Sequence, residues 1–187
     1  DASLGTNANQ SSRIEPSCYD YIVLADVIEH TTDPIDILQQ LTPLLTTQGK
    51  LLVSVPNVAF APIRAELMSG DWEYTDWGIV ERTHLRFFSK YGLIKTIEGA
   101  GLVIESLYHL GRSPYEMEKR LHHYHVNPLT LMQLKSDPLA FTYQFLAVCE
   151  RPDKFSSPVP TRELWKGIHT DNFLRSYYRL RRSNRLN

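Results

Sequence analysis

The chain has 187 residues and a net charge of −1, with 42% hydrophobic, 11% aromatic and 22% charged residues. At roughly 100–200 residues per domain, this length predicts one compact domain with a short appendage, and the composition excludes a disordered or fibrous protein. No apolar run in the sequence reaches the ~18–20 residues that a membrane span needs, and the polar segment 1–18 lacks the apolar core of a signal peptide. Because two cysteines are too few for a disulfide framework, we expect a cytoplasmic location.

The charge is unevenly distributed along the chain. Residues 151–187 carry nine Lys and Arg against three Asp and Glu, whereas residues 1–150 carry 11 against 18. The sequence of this tail predicts a Pro-rich linker followed by a basic amphipathic helix from Glu163 to Arg185. Since the rest of the chain is acidic, we expect the tail to dock on its own body or on a second copy, and we do not expect it to bind nucleic acid.

The first predicted elements form a strand-helix-strand unit. The apolar run Tyr19–Ala25 is typical of a strand that is buried on both faces, as in a parallel sheet. Asp33 and Pro34 are a helix-start signal, with apolar residues at helical spacing behind them, and Gly49 is expected to end the helix. Leu51–Val55 predicts a second buried strand, so the two strands and the helix should form a right-handed βαβ unit.

The segment between the second strand and residue 88 has no simple period. Three aromatic residues alternate with acids from Trp72 to Trp77, and a long irregular segment of this kind is typical of a functional lid. Five further elements are predicted around and after it: a short helix over Ala61–Met68, a helix from Ser89 to Gly101, a strand over Leu102–Leu110, one or two inserted helices near Glu116–His122 and Leu129–Leu134, and a last strand over Phe141–Cys149.

Polar side chains follow the first two predicted strands where each strand ends. Asp26, Glu29 and His30 come directly after the first strand, and Asn57 follows the second. In an open parallel sheet, ligands bind outside the carboxyl ends of the strands. These residues are therefore the first candidates for a functional site, and His84 in a basic segment farther along the chain is another.

Four segments in this order resemble a known family. They are Tyr19 to His30, Gly49 to Asn57, Thr83 to Ser89 and Gly99 to Leu102. Their succession resembles the second half of class I S-adenosylmethionine-dependent methyltransferases, in the branch of ubiquinone-type O-methyltransferases and methyltransferases of polysaccharide clusters. The resemblance covers roughly residues 19–150 and implies a three-layer α/β, Rossmann-like fold. Since the family's Gly-rich cofactor turn lies upstream of the matching segments, it also implies a partial domain without the N-terminal strand-helix units.

The resemblance implies that Leu24, Ala25, Asp26 and His30 contact S-adenosylmethionine. It further implies that Asp26, Glu29, His30 and His84 bind a divalent metal (Mg, Mn or Zn), which would act as a Lewis acid on an acceptor hydroxyl. One alternative is that these side chains only shape the loop through hydrogen bonds. Another is that His30 or His84 acts as a general base, because a histidine pKa lies near neutrality.

The expected reaction is methylation of a hydroxyl on a sugar, a polysaccharide precursor or a small aromatic molecule. Six residues are candidates to bind this acceptor: Asn57, Trp72, Tyr74, Trp77, Arg82 and Arg86. A role of the aromatic residues in a satellite core is an equal alternative. The competing function is a non-catalytic subunit that pairs through an exposed strand edge, either as a homodimer or with a missing N-terminal half.

Overall fold

The computed structural model describes residues 17–152 and 162–166. The strands are β1 (Tyr19–Ala25), β2 (Leu45–Pro56), β3 (Val103–Gly111), β4 (Thr142–Glu150) and β5 (Arg162–Lys166), and the α-helices are α1 (Pro34–Leu41), α2 (Ala61–Met68), α3 (Lys90–Gly99) and α4 (Pro128–Ser136). Short 3₁₀ helices cover Ile28–His30, Thr42–Leu44, Leu121–His123 and Pro138–Phe141.

The described strands form one mixed sheet in the order β1-β2-β4-β3-β5. β1 and β2 are parallel and joined through α1, which confirms the predicted βαβ unit. β4 runs antiparallel between β2 and β3. The last predicted strand, β4, thus lies between β2 and β3 in the sheet. A Rossmann-like methyltransferase sheet has this strand order, so the expected fold class is confirmed.

The main core lies between β2 and helices α1 and α3. Leu51, Val53 and Val55 alternate along β2 and are fully buried, because successive side chains of a strand point to opposite faces. Leu38 of α1 and Leu93 of α3 belong to the same buried cluster. This close-packed core holds the carboxyl ends of β1 and β2 in place, and the candidate site lies at those ends.

The predicted helix starts depend on local signals and are confirmed at α1 and α3. The Asp33 carboxylate accepts a hydrogen bond from Asp36 N at 3.0 Å, and Pro34 occupies the first position of α1. The Ser89 hydroxyl accepts from Gly92 N at 3.2 Å at the start of α3. Gly101 follows α3 with a φ of +80°, a conformation that favours glycine.

Two predictions near β1 are wrong. β1 is not buried on both faces: Tyr21 is 69% and Val23 60% exposed, because the face of β1 that carries them is uncovered, while Ile22 and Leu24 on the other face pack against the main core. Gly49 does not end a helix, since α1 gives way to a 3₁₀ turn at Thr42–Leu44 and Gly49 lies within β2. There the chain needs glycine, because a Cβ would come within 2.8 Å of the Tyr19 carbonyl oxygen.

Two predicted helices also take another form. The segment Glu116–His122 consists of turns, with a single 3₁₀ helix at its end. The predicted basic helix was to begin at Glu163, but that residue lies in β5 (Arg162–Lys166). This strand pairs in parallel with β3, and an ion pair of 2.6 Å between Glu163 and Lys90 holds it there. The remainder of that predicted helix lies outside the described residues. Within 17–152 and 162–166, no helix has the length and apolarity of a membrane span.

Candidate functional site

The candidate site forms where the irregular segment before α3 docks on the turn after β1. Glu29 and His30 lie in the 3₁₀ helix Ile28–His30. The Glu29 carbonyl oxygen accepts hydrogen bonds from Leu85 N at 2.8 Å and Arg86 N at 2.9 Å, which brings His84 beside this turn. The rings of His30 and His84 meet edge to face with their centroids 4.7 Å apart.

Glu29, His30 and His84 each contribute one potential ligand atom, and these three atoms lie within 4.8 Å of one another. Glu29 and His84 are buried, whereas His30 faces the solvent. The cluster thus combines a carboxylate and two imidazoles around one point that remains accessible from one side.

The His84 ring has one nitrogen committed to the backbone. Its Nδ1 lies 2.9 Å from the carbonyl oxygen of Ile79. A carbonyl oxygen can only accept, so Nδ1 carries the hydrogen, and the lone pair of the neutral ring resides on Nε2. The nearest ion-pair partner of Nε2 is a Glu81 carboxylate oxygen at 3.9 Å, which is beyond hydrogen-bond distance.

The His30 ring is held in the same way. Its Nδ1 lies 3.2 Å from the carbonyl oxygen of Thr83 and 3.1 Å from the hydroxyl oxygen of that residue. The hydroxyl donates its own hydrogen to Glu81 Oε1 at 2.6 Å, so both Thr83 oxygens act as acceptors toward His30. Nδ1 is therefore the donor, and the Nε2 lone pair of His30 is also left for a ligand.

Glu29 is the least solvated member of the cluster. Its residue is 1% exposed, and neither carboxylate oxygen has a hydrogen-bond partner among the described residues. Burial raises the pKa of Glu29 to about 7; the residue's own backbone N–H and His30 oppose this shift, and the charges of Asp26 and Glu81 add to it. A buried carboxyl group without donors is costly to ionise, and a bound cation would remove that cost.

These residues fit a divalent cation in their chemistry. One carboxylate and two imidazole Nε2 atoms form a three-ligand set of the kind that leaves further coordination positions for water or substrate. The carbonyl oxygens of Ile79 and Thr83 supply the outer contacts that orient ligating histidines.

Asp26 does not join this cluster, which corrects the predicted four-residue ligand set. Its carboxylate accepts hydrogen bonds from Ser54 Oγ at 3.0 Å and from Gln144 Nε2 at 2.6 and 2.8 Å. Its backbone has a φ of +54° and donates to Ser54 as well. These contacts tie Asp26 to β2 and β4, on the sheet rather than beside the histidines.

The residues predicted to contact the cofactor line the end of β1. Ala25, Asp26 and His30 are exposed, while Leu24 is half-buried and packs against the main core. Three of the four side chains are therefore accessible at the carboxyl edge, and contact between this edge and a cofactor stays a prediction.

Asn57 is not available to a substrate, contrary to prediction. The residue is fully buried. Its Nδ2 donates to the carbonyl oxygens of Thr142 at 2.7 Å and Leu139 at 3.1 Å, and its Oδ1 accepts from Ala59 N at 3.0 Å. All polar groups of the side chain thus hold the end of β2 against the start of β4.

The aromatic residues of the irregular segment divide into two kinds. Trp72 is half-buried, packs edge to face on Phe87 with centroids 5.2 Å apart, and belongs to a satellite core around Phe60. Tyr74 and Trp77 are 42% and 56% exposed. The satellite-core alternative thus holds for Trp72, whereas the other two rings remain accessible for binding.

Arg82 and Arg86 do not converge on one ligand. Arg82 Nε pairs with Asp76 Oδ1 at 3.1 Å beside Tyr74 and Trp77. Arg86 donates to the carbonyl oxygen of Thr32 and lines a separate groove of about 420 Å³ between the starts of α1 and α3. A single anion bound by both side chains is therefore excluded in this arrangement.

Comparison with known proteins identifies the family. Residues 5–107, more than half of the chain, match the family model described as a methyltransferase domain. The chain belongs to this methyltransferase family. A curated protein, the probable polyketide synthase 7 of Dictyostelium discoideum, is 28% identical over 104 residues, which are 54% of this chain and 4% of that protein.

Solved structures of methyltransferases are also similar to the chain. A SAM-dependent methyltransferase from Archaeoglobus fulgidus is 10% identical with a TM-score of 0.48, over 73% of this chain and 61% of that one. A SAM-dependent methyltransferase from Thermotoga maritima, a possible histamine N-methyltransferase, is 16% identical with a TM-score of 0.47, over 74% and 58%. This methyltransferase chain therefore spans less than two thirds of the length of these relatives.

Sequence reasoning missed three side chains that orient residues of the candidate site. Thr83 and Glu81 hold His30, and their closeness to His84 in the chain was the available signal. Gln144 holds Asp26 from a strand 118 residues away, for which the sequence carries no local signal. All three orient other residues rather than face a ligand directly.

Proposed function

We propose that the protein transfers a methyl group from S-adenosylmethionine to a hydroxyl of a sugar, a polysaccharide precursor or a small aromatic molecule, assisted by a divalent cation. The observation that supports a bound cation is the buried Glu29 carboxylate, which lies beside two histidines whose Nε2 lone pairs are available. Glu29, His30 and His84 would hold the ion. Membership of the methyltransferase family supports the choice of methyl donor.

The chain's own residues have distinct roles in this proposal. Ala25 and Asp26 offer the exposed edge of β1 to the cofactor, and Asp26 is kept in place by Ser54 and Gln144. A bound divalent cation would supply Lewis acidity that lowers the pKa of the acceptor hydroxyl. His30 is the exposed member of the cluster, so its Nε2 is the group that can take the hydroxyl proton in a reaction without metal.

The bond changes are simple. The acceptor oxygen loses its proton and forms a bond to the methyl carbon, the carbon–sulfur bond breaks, and its electron pair returns to sulfur as S-adenosylhomocysteine leaves. This displacement requires the oxygen, carbon and sulfur in line, so positioning supplies much of the rate. The site's contribution is to fix the acceptor hydroxyl beside the end of β1.

Cation binding tests the metal part of the proposal. We expect the full chain to bind Mn²⁺ or Co²⁺ in calorimetry, and His84→Ala to weaken binding by more than about 100-fold, since even the outer partners of metal ligands are worth about 10–100-fold. His125→Ala, which removes an exposed histidine elsewhere, is the matched control and should bind normally. Wild-type protein that binds neither ion, or equal binding by His84→Ala, would refute the metal site.

Cofactor binding is tested separately. Because the family's Gly-rich cofactor turn lies upstream of the matching segments, we expect S-adenosylmethionine to bind in calorimetry, without added metal, when an N-terminal half with that turn is supplied. There Asp26→Ala should weaken binding because it removes the side chain anchored at the end of β1. Unchanged affinity in Asp26→Ala would contradict the proposed cofactor edge, whatever the result with Mn²⁺.

A second candidate function rests on β1. Among the described residues its only paired neighbour is β2, so the backbone groups of its other edge are unpaired there, and Tyr21 and Val23 are exposed on one face of the same strand. Unpaired strand edges invite pairing with another chain, as in a regulatory subunit or a homodimer. Sedimentation of the wild type and of Val23→Lys tests this: a dimer that the charge converts to a monomer supports the role, and a wild-type monomer that binds S-adenosylmethionine argues against it.

A further inference from the structure

A groove of about 530 Å³ lies between the irregular segment after α2 and the turns after β3. Its walls include Tyr74, Trp77 and Arg82 on one side and Glu116, Glu118 and Arg120 on the other. This volume falls within the ~300–1,000 Å³ that is usual for small-molecule sites. This groove is distinct from the one that Arg86 lines and from the Glu29, His30 and His84 cluster.

The aromatic side chains give this groove flat apolar surfaces. Trp77 is 56% exposed, and the turn that carries it is held by a hydrogen bond of 2.8 Å from the Thr75 hydroxyl to the Trp77 carbonyl oxygen. The Tyr74 ring is backed by Trp72 and Phe87, each with its centroid 6.3 Å away. Exposed, supported rings of this kind stack on the C–H face of a sugar ring or on a cation.

The charges of the groove oppose an anionic ligand. Four carboxylates line it, from Glu73, Asp76, Glu116 and Glu118, against two guanidinium groups. Arg82 is already paired with Asp76 at 3.1 Å. Glu118 is occupied by hydrogen bonds from the Ile79 backbone at 2.9 Å and from a tyrosine hydroxyl.

Two carboxylates in the groove are left without such contacts. Glu73 has its nearest ion-pair partner, Lys119 Nζ, at 4.0 Å and its side chain is 78% exposed. Glu116 is exposed as well. Negative charge in a concave surface raises the local concentration of cations, so these two side chains favour a positively charged group.

The two walls are joined rigidly. Lys119 and Glu66 form a buried ion pair at 2.5 Å, which ties the turns after β3 to α2. Glu66 also accepts from Glu73 N at 3.0 Å, so the same carboxylate holds both walls. A groove whose walls share buried contacts is largely preformed, which lowers the entropy cost of binding.

The groove adjoins the cation cluster. Arg82 N donates to the Thr75 carbonyl oxygen at 3.0 Å, and Thr75 pairs with Glu81 in an isolated bridge. A carboxylate oxygen of Glu81 lies 3.9 Å from His84 Nε2. Glu81 thus lies between Thr75 of the groove wall and His84 of the proposed cation site.

We infer that this groove binds the methyl acceptor and that the acceptor is a saccharide with a protonated amino group, such as a glucosamine unit. That the bound saccharide is the methyl acceptor rests on the proposed function. That the groove binds such a saccharide does not depend on it. Trp77 stacks on the sugar ring, and Glu73 and Glu116 receive the ammonium group. Arg82 is neutralised by Asp76, and the other guanidinium of the groove, from Arg120, is outnumbered by the carboxylates, so phosphorylated sugars are disfavoured.

Calorimetry on the full chain with three tetrasaccharides tests this inference: a glucosamine tetramer, its N-acetylated counterpart and a galacturonic acid tetramer. We expect the glucosamine tetramer to bind at least tenfold more tightly than the N-acetylated one, with an affinity that falls as salt screens the carboxylates, and the acidic tetramer not to bind. Trp77→Ala and the double variant Glu73→Gln/Glu116→Gln should each weaken binding by at least fivefold.

The matched controls replace exposed residues on α3. Tyr91→Ala and Glu98→Gln should bind the glucosamine tetramer like the wild type. Equal affinity for the amino and N-acetylated tetramers, binding of the acidic tetramer, or unchanged binding by both groove variants would overturn the inference.

The same protein distinguishes failure of the proposed cation site from failure of the groove assignment. His84→Ala should lose Mn²⁺ binding and keep the affinity for the glucosamine tetramer. If the wild type binds the tetramer in the predicted manner but binds neither Mn²⁺ nor Co²⁺, the groove assignment stands and the metal proposal fails.

Discussion

The substitution Glu29→Gln removes one buried titration and should change how stability depends on pH. Glu29 is 1% exposed, and burial raises its pKa from an ordinary 4.5 to about 7. Between these pH values the folded, metal-free protein holds a proton that the unfolded chain has released, so the free energy of unfolding falls as pH rises. The favourable contribution is complete below pH 4.5 and is lost by the time pH passes 7.

The magnitude follows from the width of this window. At 1.36 kcal/mol per pH unit, the wild type should lose about 3 kcal/mol through Glu29 alone. Glutamine does not titrate, so the free energy of unfolding of Glu29→Gln minus that of the wild type should rise by about 3 kcal/mol from pH 4.5 to pH 8. The unsatisfied amide of the new side chain lowers the free energy of unfolding of Glu29→Gln by the same amount at every pH, so it drops out of the change with pH.

Urea unfolding followed by tryptophan fluorescence measures this difference, in EDTA at pH 4.5, 5.5, 6.5, 7.5 and 8. Glu98→Gln, an exposed residue on α3, is the control and should follow the wild type at every pH. Saturating Mn²⁺ should stabilise the wild type at pH 8 and leave Glu29→Gln unchanged, since ligand binding stabilises the folded state. Parallel pH profiles for the wild type and Glu29→Gln would refute the assignment of a buried, unsolvated carboxyl group.

Three further predictions concern residues that support the site and the groove, and each is measured by urea unfolding. Asn57→Ala should cost about 1–3 kcal/mol, because it leaves buried backbone groups without their partners. Lys119→Met should cost about 3–5 kcal/mol by leaving Glu66 buried and unpaired, and adding Glu66→Gln should restore part of that loss. Gly78→Ala should destabilise more than Gly70→Ala: both have positive φ, which costs about 1–3 kcal/mol, but only at Gly78 would the new Cβ lie 2.3 Å from a glutamate side chain.

Each of these outcomes can fail in a definite way. A cost below 0.5 kcal/mol for Asn57→Ala, the range of ordinary surface substitutions, would contradict its structural role. Equal stability of Lys119→Met with and without Glu66→Gln would show that the buried pair is not coupled. Equal losses at the two glycines would show that the segment carrying Gly78 is not held against the neighbouring turns.

Local signals in the sequence predicted the helices that depend on nearby residues. Asp33 and Ser89 begin α1 and α3 because each side chain bonds a backbone N–H three residues ahead, an interaction that needs no tertiary contact. The nearly continuous apolar run Leu51–Val55 was likewise sufficient to predict the buried strand that became part of β2. Glu29 and His30 could be proposed because they follow a strand, where ligands bind in such sheets.

The sequence by itself thus determined the βαβ unit, the order of the segments that resemble a methyltransferase, and the residue types at the end of β1. Only the tertiary structure decided which side chains meet. Backbone hydrogen bonds to the Glu29 carbonyl oxygen bring His84 into the cluster, while Gln144 draws Asp26 away from it. Such contacts join residues 50 or more positions apart, and their energies depend on distances that no local pattern encodes.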